Sequence, residues 1–176
     1  MRNFKHTLPY TISLDHAGED NNVRCERVLR DLPGKRLVCE GSWRQRPVVI
    51  KMFLDPQSAR RHWAREKSGA EALNAAHIVT PELLFSGELK DGVPVLVFDF
   101  LPHAQTALEI WNELPDRQQR SDFLQQLVEL VGNLHEAGLV QEDLHLENFL
   151  VAKQRIYAID GDAISRRSEN PLDLET

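Results

Sequence analysis

The sequence predicts an α+β fold with a strand-rich N-terminal half and a helical C-terminal half. Three β-rich segments occupy the first third of the chain, and a further strand pair follows one helical segment. The second half has helical apolar spacing and ends in two short apolar segments bounded by acidic residues. A cleft between two such halves is the expected place for a small-molecule site.

The N-terminal strands are predicted from runs of β-branched and aromatic residues. They cover residues 23–29, 36–43 and 48–53, with turn-forming stretches at 31–35 and 44–47. Lys51 is the one charged residue in an otherwise apolar third strand. Because a charge in such a place is uncommon, Lys51 is a candidate functional residue. The alternative is a strand-edge lysine whose ammonium group lies in water.

A helix is predicted to begin at Asp55-Pro56 and to run to about Ala76, because aspartate is a good N-cap and proline is favoured at the first helical position. Trp63, Ala70 and Leu73 are expected on its core face. Beyond it, residues 83–88 and 93–100 flank an Asp-Gly turn and predict a β-hairpin.

Two further helices are predicted from capping signals. Thr106 with Glu109 has the spacing of a capping box, and Asp116 with Gln119 opens a second helix that should stop at Gly138. The second helix is expected to bury one apolar stripe, made of Leu124, Leu127, Val128, Val131 and Leu134.

Composition and charge narrow the class of protein. The 176 residues are 41% hydrophobic and 27% charged, which is ordinary for a globular domain. A net charge of −6 argues against nucleic-acid binding through an overall basic surface. Cys25 and Cys39 have neither metal-site nor disulfide-framework spacing, which fits a reducing cytoplasm. We expect neither a signal peptide nor a transmembrane segment.

The segment from residue 139 to 164 carries the most specific functional pattern. Asp143 and Asn148 are five positions apart, and a predicted hairpin follows and leads straight into Asp160. The D-x-x-x-x-N spacing alone is weak, because it often occurs by chance. The ends of a tight hairpin lie close together, so the three side chains are expected to meet. Two carboxylates and an amide are groups that phosphoryl transfer from ATP with Mg²⁺ requires.

Taken together, these residues and the order of the elements resemble a protein-kinase-like fold, and in particular the small bacterial lipopolysaccharide core kinases that phosphorylate heptose or Kdo sugars. The resemblance covers roughly residues 23–164. It implies a two-lobed fold: an N-terminal extension (1–22), a sheet-rich N-lobe (23–102) and a truncated helical C-lobe with the catalytic loop (103–176).

The resemblance also implies roles. Asp143 would orient the acceptor hydroxyl, and Lys51 would hold the ATP phosphates. Glu66 on the first helix would pair with Lys51, with Glu71 as the alternative partner. The Mg²⁺ ligands would be Asn148, Asp160 and Asp162, and the backbone around Asp99, Phe100 and Leu101 would bind the adenine edge.

The substrate is left open by the sequence. His145 stands where sugar and small-molecule kinases often carry histidine or asparagine, which favours a sugar hydroxyl, with the lipopolysaccharide inner core as the first choice. An antibiotic or small-metabolite phosphotransferase is one alternative, and a non-catalytic module that binds nucleotide or a protein partner is the other. We expect a cytoplasmic protein without nucleic-acid partners, with peripheral contact at the cytoplasmic face of the inner membrane as an option.

Three departures from the resemblance bear on activity. Gln141 stands where most kinases have histidine, and the turn between the first two strands has a single glycine, Gly34. Kinases of this type also continue with helices after the metal-binding aspartate, whereas here Pro171-Leu172-Asp173 is the only further helix start. We therefore expect an incomplete kinase that is weakly active or inactive alone. It would either be a fragment of a longer protein or bury the apolar stripe in a homodimer or against a partner.

Overall fold

The computed structural model describes residues 8–15 and 21–166. It confirms the α+β class, with a curled antiparallel sheet and three α-helices among the described residues. The first half forms one six-stranded sheet in the order β1-β2-β3-β4-β6-β5, with each neighbouring pair antiparallel. Its strands are β1 Tyr10–Ser13, β2 Asn22–Leu32, β3 Arg36–Trp43, β4 Arg46–Phe53, β5 Leu83–Glu88 and β6 Pro94–Asp99.

The two faces of this sheet have different partners. Side chains alternate along a strand, so Ile50 and Met52 of β4 point to one face and Lys51 to the other. The first face is covered by an apolar cluster, which includes Leu14 and Leu89. The predicted N-terminal extension therefore supplies an edge strand, β1, to the sheet. The second face, with Lys51, turns toward the helical half.

The first helix, α1, spans Ala59–Ala75 and packs against the second sheet face. The prediction that it begins at Asp55-Pro56 is wrong by about one turn. The Asp55 carboxylate accepts hydrogen bonds from the Gln57 N–H and the Ser58 hydroxyl. These local bonds hold residues 55–58 as a turn, because an aspartate side chain competes with the helix for backbone donors.

The second half packs two α-helices against two short sheets. Its elements are β7 Gln105–Thr106, α2 Ala107–Glu113, α3 Arg117–Glu136, β8 Leu139–Gln141, β9 Phe149–Ala152, β10 Arg155–Ala158 and β11 Ile164–Arg166. The capping box of α2 is present, since the Thr106 hydroxyl accepts from the Glu109 N–H at 3.1 Å. The hairpin predicted between Asn148 and Asp160 is formed by β9 and β10. The helix start predicted at residues 171–173 lies outside the described residues.

The prediction of which apolar residues α3 buries is correct only in part. The helix buries Phe123, Leu127, Leu130 and Leu134, whereas Val128 is 68% exposed and Leu124 is 44% exposed. Apolar residues lie on more than one face of α3, and tertiary packing selects the face with the aromatic side chain. Within the described residues, no helix is long and apolar enough to cross a membrane.

We predict that the two faces of α3 respond differently to truncation. Leu127→Ala should lower the free energy of unfolding by about 2–5 kcal/mol, because it opens a cavity among buried side chains. Val128→Ala, one residue away on the same helix, should change it by less than about 0.5 kcal/mol. Urea unfolding followed by circular dichroism measures both. A large loss for Val128→Ala would mean that a covering element hides this face.

Candidate functional site

A cavity of about 690 Å³ lies between the second sheet face and the helical half. Apolar side chains line much of it, with Val38 and Val49 on the sheet side and Leu150 and Ile159 on the other. Its inner end is polar and is lined by Lys51, Glu66 and Asp160. This change from an apolar slot to a charged end suits a ligand that has a flat apolar part and a charged tail.

The predicted ion pair between Lys51 and Glu66 is present. The Lys51 ammonium on β4 donates to Glu66 Oε1 on α1, and it also lies 5.3 Å from the centre of the Phe98 ring. Glu66 is 1% exposed. The alternative partner, Glu71, is exposed and pairs with Lys67 at 3.6 Å. The structure thus selects Glu66, because its position on α1 faces the sheet.

The charge of Glu66 is maintained by its neighbours. Burial opposes ionisation, but Lys51 and Arg36 outweigh it and hold the pKa of the Glu66 carboxyl below its usual value. Arg36 Nη1 lies 3.8 Å from Glu66 Oε2, on the side away from Lys51. Glu66 is therefore an anion between two cations, which is the condition for keeping a carboxylate in a dry site.

Close contact between two glycines holds α1 against the turn that carries Asp160. A Cβ on Gly69 would lie 2.0 Å from the Gly161 carbonyl oxygen, and a Cβ on Gly161 would lie 2.4 Å from the Glu66 carbonyl oxygen. No other residue type fits at either position without displacing backbone. The contact fixes the distance between Glu66 and Asp160 through the main chain.

Asp160 shows two signs of a functional residue. It is a non-glycine residue in the left-handed region, with φ 65° and ψ 66°, which is a strained conformation. Its Oδ1 is buried and has no hydrogen-bond partner in the part of the chain that the structure describes. Burial, and then the negative Glu66, raise the pKa of the Asp160 carboxyl, while Lys51 and Arg36 act in the opposite direction. The ion-pair partner of Asp160, Arg36 Nη1, lies 4.0 Å from Oδ1, beyond hydrogen-bond distance.

Asp162, two residues later, has a different environment. Its carboxylate lies 2.7 Å from His62 Nδ1, 3.1 Å from Arg65 Nε and 3.4 Å from Arg36 Nη2. These contacts tie the 160–162 turn to α1. The role of Asp162 as a metal ligand remains a prediction, and its cationic neighbours do not favour it.

The segment between β8 and β9 is organised around Asn148. Its side-chain nitrogen donates to the Asp143 carbonyl at 2.9 Å, so its amide oxygen is the group left for a cation. The Ile159 N–H donates to the Asn148 carbonyl at 3.0 Å, which brings Asn148 beside the segment that ends at Asp160. The Asp143 carboxylate is exposed and lies 3.1 Å from His145 Nε2. These bonds bring Asn148 beside Asp143 and beside the residue that precedes Asp160, and the meeting of the three side chains remains a prediction.

The segment predicted to bind an adenine edge lines the cavity at residues 99–104. The Asp99 N–H already donates to the Glu82 carbonyl at 2.9 Å, and the Phe100 N–H to the Pro47 carbonyl at 3.3 Å. Of Asp99, Phe100 and Leu101, only Leu101 has a backbone N–H with no partner in the described part of the chain. The Asp99 carboxylate is bound to Arg46 at 3.0 Å. Within residues 99–101, the groups left to bond a ligand are therefore the Leu101 N–H and the backbone carbonyls.

The residues present fit a magnesium ion that is bound together with phosphates. Among the described residues, no three His, Cys, Asp or Glu side chains are grouped as a metal site. Mg²⁺, however, usually takes one or two protein oxygens and completes its shell with water and phosphate. Asn148 and Asp160 supply an amide oxygen and a buried, unpartnered carboxylate oxygen.

Sequence reasoning missed three residues of this site. Arg36, Gly69 and Gly161 hold the charged end together, yet none belongs to a recognised pattern. A glycine inside α1 was an available signal, because an interior helix glycine costs about 1 kcal/mol and often marks close packing. Arg36 gave no comparable signal.

No protein-family model matches the sequence, and no curated protein is significantly similar to it.

We predict that Gly69→Ala separates α1 from the 160–162 turn. The added methyl would overlap the Gly161 carbonyl, so we expect a loss of about 1–3 kcal/mol in the free energy of unfolding. The control is Gly132→Ala in α3, where a Cβ meets nothing within 4 Å and a gain of about 0.5–1 kcal/mol is expected. Thermal unfolding of both variants measures this. A gain in stability for Gly69→Ala like that of Gly132→Ala would refute the close contact.

We also predict a non-additive response at the buried ion pair. Lys51→Met should cost about 3–5 kcal/mol, because it removes the nearest cation from buried Glu66. Adding Glu66→Leu should recover much of that loss. Lys67→Met, which breaks the surface pair with Glu71, should cost less than about 1 kcal/mol. Urea unfolding of Lys51→Met, Glu66→Leu and the double variant gives the coupling energy, and a double variant no better than Lys51→Met would contradict the pairing.

Proposed function

We propose that this protein is an ATP- and Mg²⁺-dependent phosphotransferase with a hydroxyl acceptor, built on a kinase-like two-lobed fold. The observation that carries the proposal is the Lys51–Glu66 ion pair beside Asp160 at the inner end of an apolar cavity. A lysine that is held by a buried carboxylate and faces a second carboxylate is suited to bind a polyphosphate with its metal.

The cavity provides a place for each part of the nucleotide. The adenine ring would lie between Val38 and Val49 on one side and Leu150 and Ile159 on the other, all of which line the cavity. The free N–H of Leu101 would donate to a ring nitrogen. The phosphates would then extend toward Lys51. Support for this pose comes from the shape and lining of the cavity.

The charged end would hold the metal and the transferred group. Asn148 and Asp160 would bind Mg²⁺, which when bound neutralises charge on the phosphate oxygens. Lys51 would contact the phosphates while Glu66 keeps its ammonium in place. Asp160 is placed by the glycine contact with α1, so its position does not depend on the ligand.

Asp143 would act at the acceptor. Its exposed carboxylate can accept the proton of an acceptor hydroxyl as the oxygen bonds to the γ-phosphorus and the bond to the ADP oxygen breaks. His145, 3.1 Å away, would keep the carboxylate oriented. The acceptor class rests on the resemblance alone, and a sugar of the lipopolysaccharide inner core, heptose or Kdo, is the first to test. A cytoplasmic location near the inner membrane would follow from that substrate.

Nucleotide binding without transfer is the second candidate, and one observation favours it. The Gln141 side chain is buried, and both its amide atoms lack a hydrogen-bond partner in the described part of the chain. A catalytic loop built on an unsatisfied residue is less firmly held than one braced by hydrogen bonds. Magnesium-dependent hydrolysis of ATP by the purified chain separates the two candidates.

We predict that Asp143→Ala abolishes transfer but leaves ATP affinity within about three-fold, because Asp143 contacts the acceptor and not the nucleotide. Transfer is measured with labelled ATP and purified lipopolysaccharide core oligosaccharide, and affinity by calorimetry. The control is Asp122→Ala, an exposed aspartate on α3. Unchanged turnover in Asp143→Ala would refute the assignment, and an absence of ATP binding by the unaltered protein would refute the function.

A further inference from the structure

Arg36 is a cation at the charged end that the proposed function leaves without a task. It is the first residue of β3 and follows directly on the turn between β2 and β3. Val38 is paired with Lys51 in the β3–β4 register, and Arg36 lies two residues before Val38. Because side chains two apart share a sheet face, Arg36 and Lys51 point to the same side.

The guanidinium of Arg36 lies loosely among three carboxylates. Its nitrogens are 3.8 Å from Glu66 Oε2, 4.0 Å from Asp160 Oδ1 and 3.4 Å from Asp162 Oδ2. Charge-assisted hydrogen bonds of this type are normally about 2.7–2.9 Å long. The side chain is 19% exposed and packs over the Phe53 ring, with the guanidinium carbon 5.1 Å from its centre. Arg36 is thus held near the cavity without a saturating partner.

The turn before Arg36 has few backbone groups to offer a phosphate. Strands β2 and β3 stay paired up to Leu32 and Arg36, so the turn consists of Pro33, Gly34 and Lys35. Proline has no N–H, and the Lys35 N–H donates to the Leu32 carbonyl at 2.9 Å. A single N–H, that of Gly34, remains. A cradle of backbone donors, which is how glycine-rich loops bind phosphates, cannot form here.

We propose that Arg36 is a polyphosphate-binding residue that supplies, as a side chain, the positive charge that this turn cannot supply from its backbone. The inference rests on the proposed nucleotide site. A guanidinium binds two phosphate oxygens at once, which suits it to the terminal phosphates. Its contacts with Asp160 and Glu66, which both line the cavity, place it next to Lys51 along the path of the phosphate chain.

The test measures how the effect of one substitution depends on phosphate number. Arg36→Gln and Arg36→Lys are compared with the unaltered protein in calorimetric titrations with adenosine, AMP, ADP and ATP, each with Mg²⁺. Arg36→Gln should weaken ATP binding by roughly 10- to 100-fold, ADP binding less, and adenosine binding by less than about two-fold. Arg36→Lys should recover part of the ATP affinity, because it keeps the charge but loses the bidentate contact.

Other results of these titrations would show whether the role of Arg36 or the proposed function itself is wrong. Equal weakening for adenosine and ATP, or a lowered melting temperature that accounts for the loss, would assign Arg36 a structural role and overturn the inference. Unchanged ATP affinity would overturn it as well. Absence of binding by the unaltered protein to all four ligands would refute the proposed function itself. Arg155→Gln, an exposed arginine at the start of β10, is the matched control and should leave every affinity unchanged.

Discussion

The buried ion pair between Lys51 and Glu66 is the interaction on which the rest of the structure depends. It joins the central sheet to α1, and α1 in turn holds the Asp160 turn through Gly69 and Gly161. A carboxylate that is 1% exposed would destabilise the fold if it were unpaired. The position of α1 is therefore set by electrostatics on one side and by backbone contact on the other.

Charge balance explains why the inner end of the cavity is so rich in ions. Glu66, Asp160 and Asp162 supply three carboxylates, and Lys51, Arg36 and Arg65 supply three cations within 4 Å of at least one of them. The pairing is uneven, because Asp162 has several cations and Asp160 has one distant arginine. The least compensated carboxylate is thus the one nearest the apolar slot, where a bound cation would gain most.

Local signals in the sequence predicted much of the scaffold but not the charged end. Strand pairing, the Thr106 capping box and the hairpin after Asn148 follow from neighbouring residues, so they could be read directly. The start of α1 could not be predicted, because hydrogen bonds to the Asp55 side chain form a turn there. The buried face of α3 could not be predicted either, because the helix has apolar residues on more than one face. Lys51 and Glu66 stood out by type and position. The role of Arg36 could not be predicted, because it depends on contacts between β3, α1 and the 160–162 turn, which are distant in the sequence.

The glycine contact also limits how this site can be regulated. In a fold whose α1 could swing, breaking the lysine–glutamate pair would switch nucleotide binding off. Here, moving α1 would require Gly69 to leave Gly161 and would expose Glu66, Arg36 and Asp162 together. The exposed part of the site lies elsewhere, at Asp143 and His145. Control of a proposed transfer reaction would therefore act on the acceptor side of the cavity, where few buried contacts oppose movement.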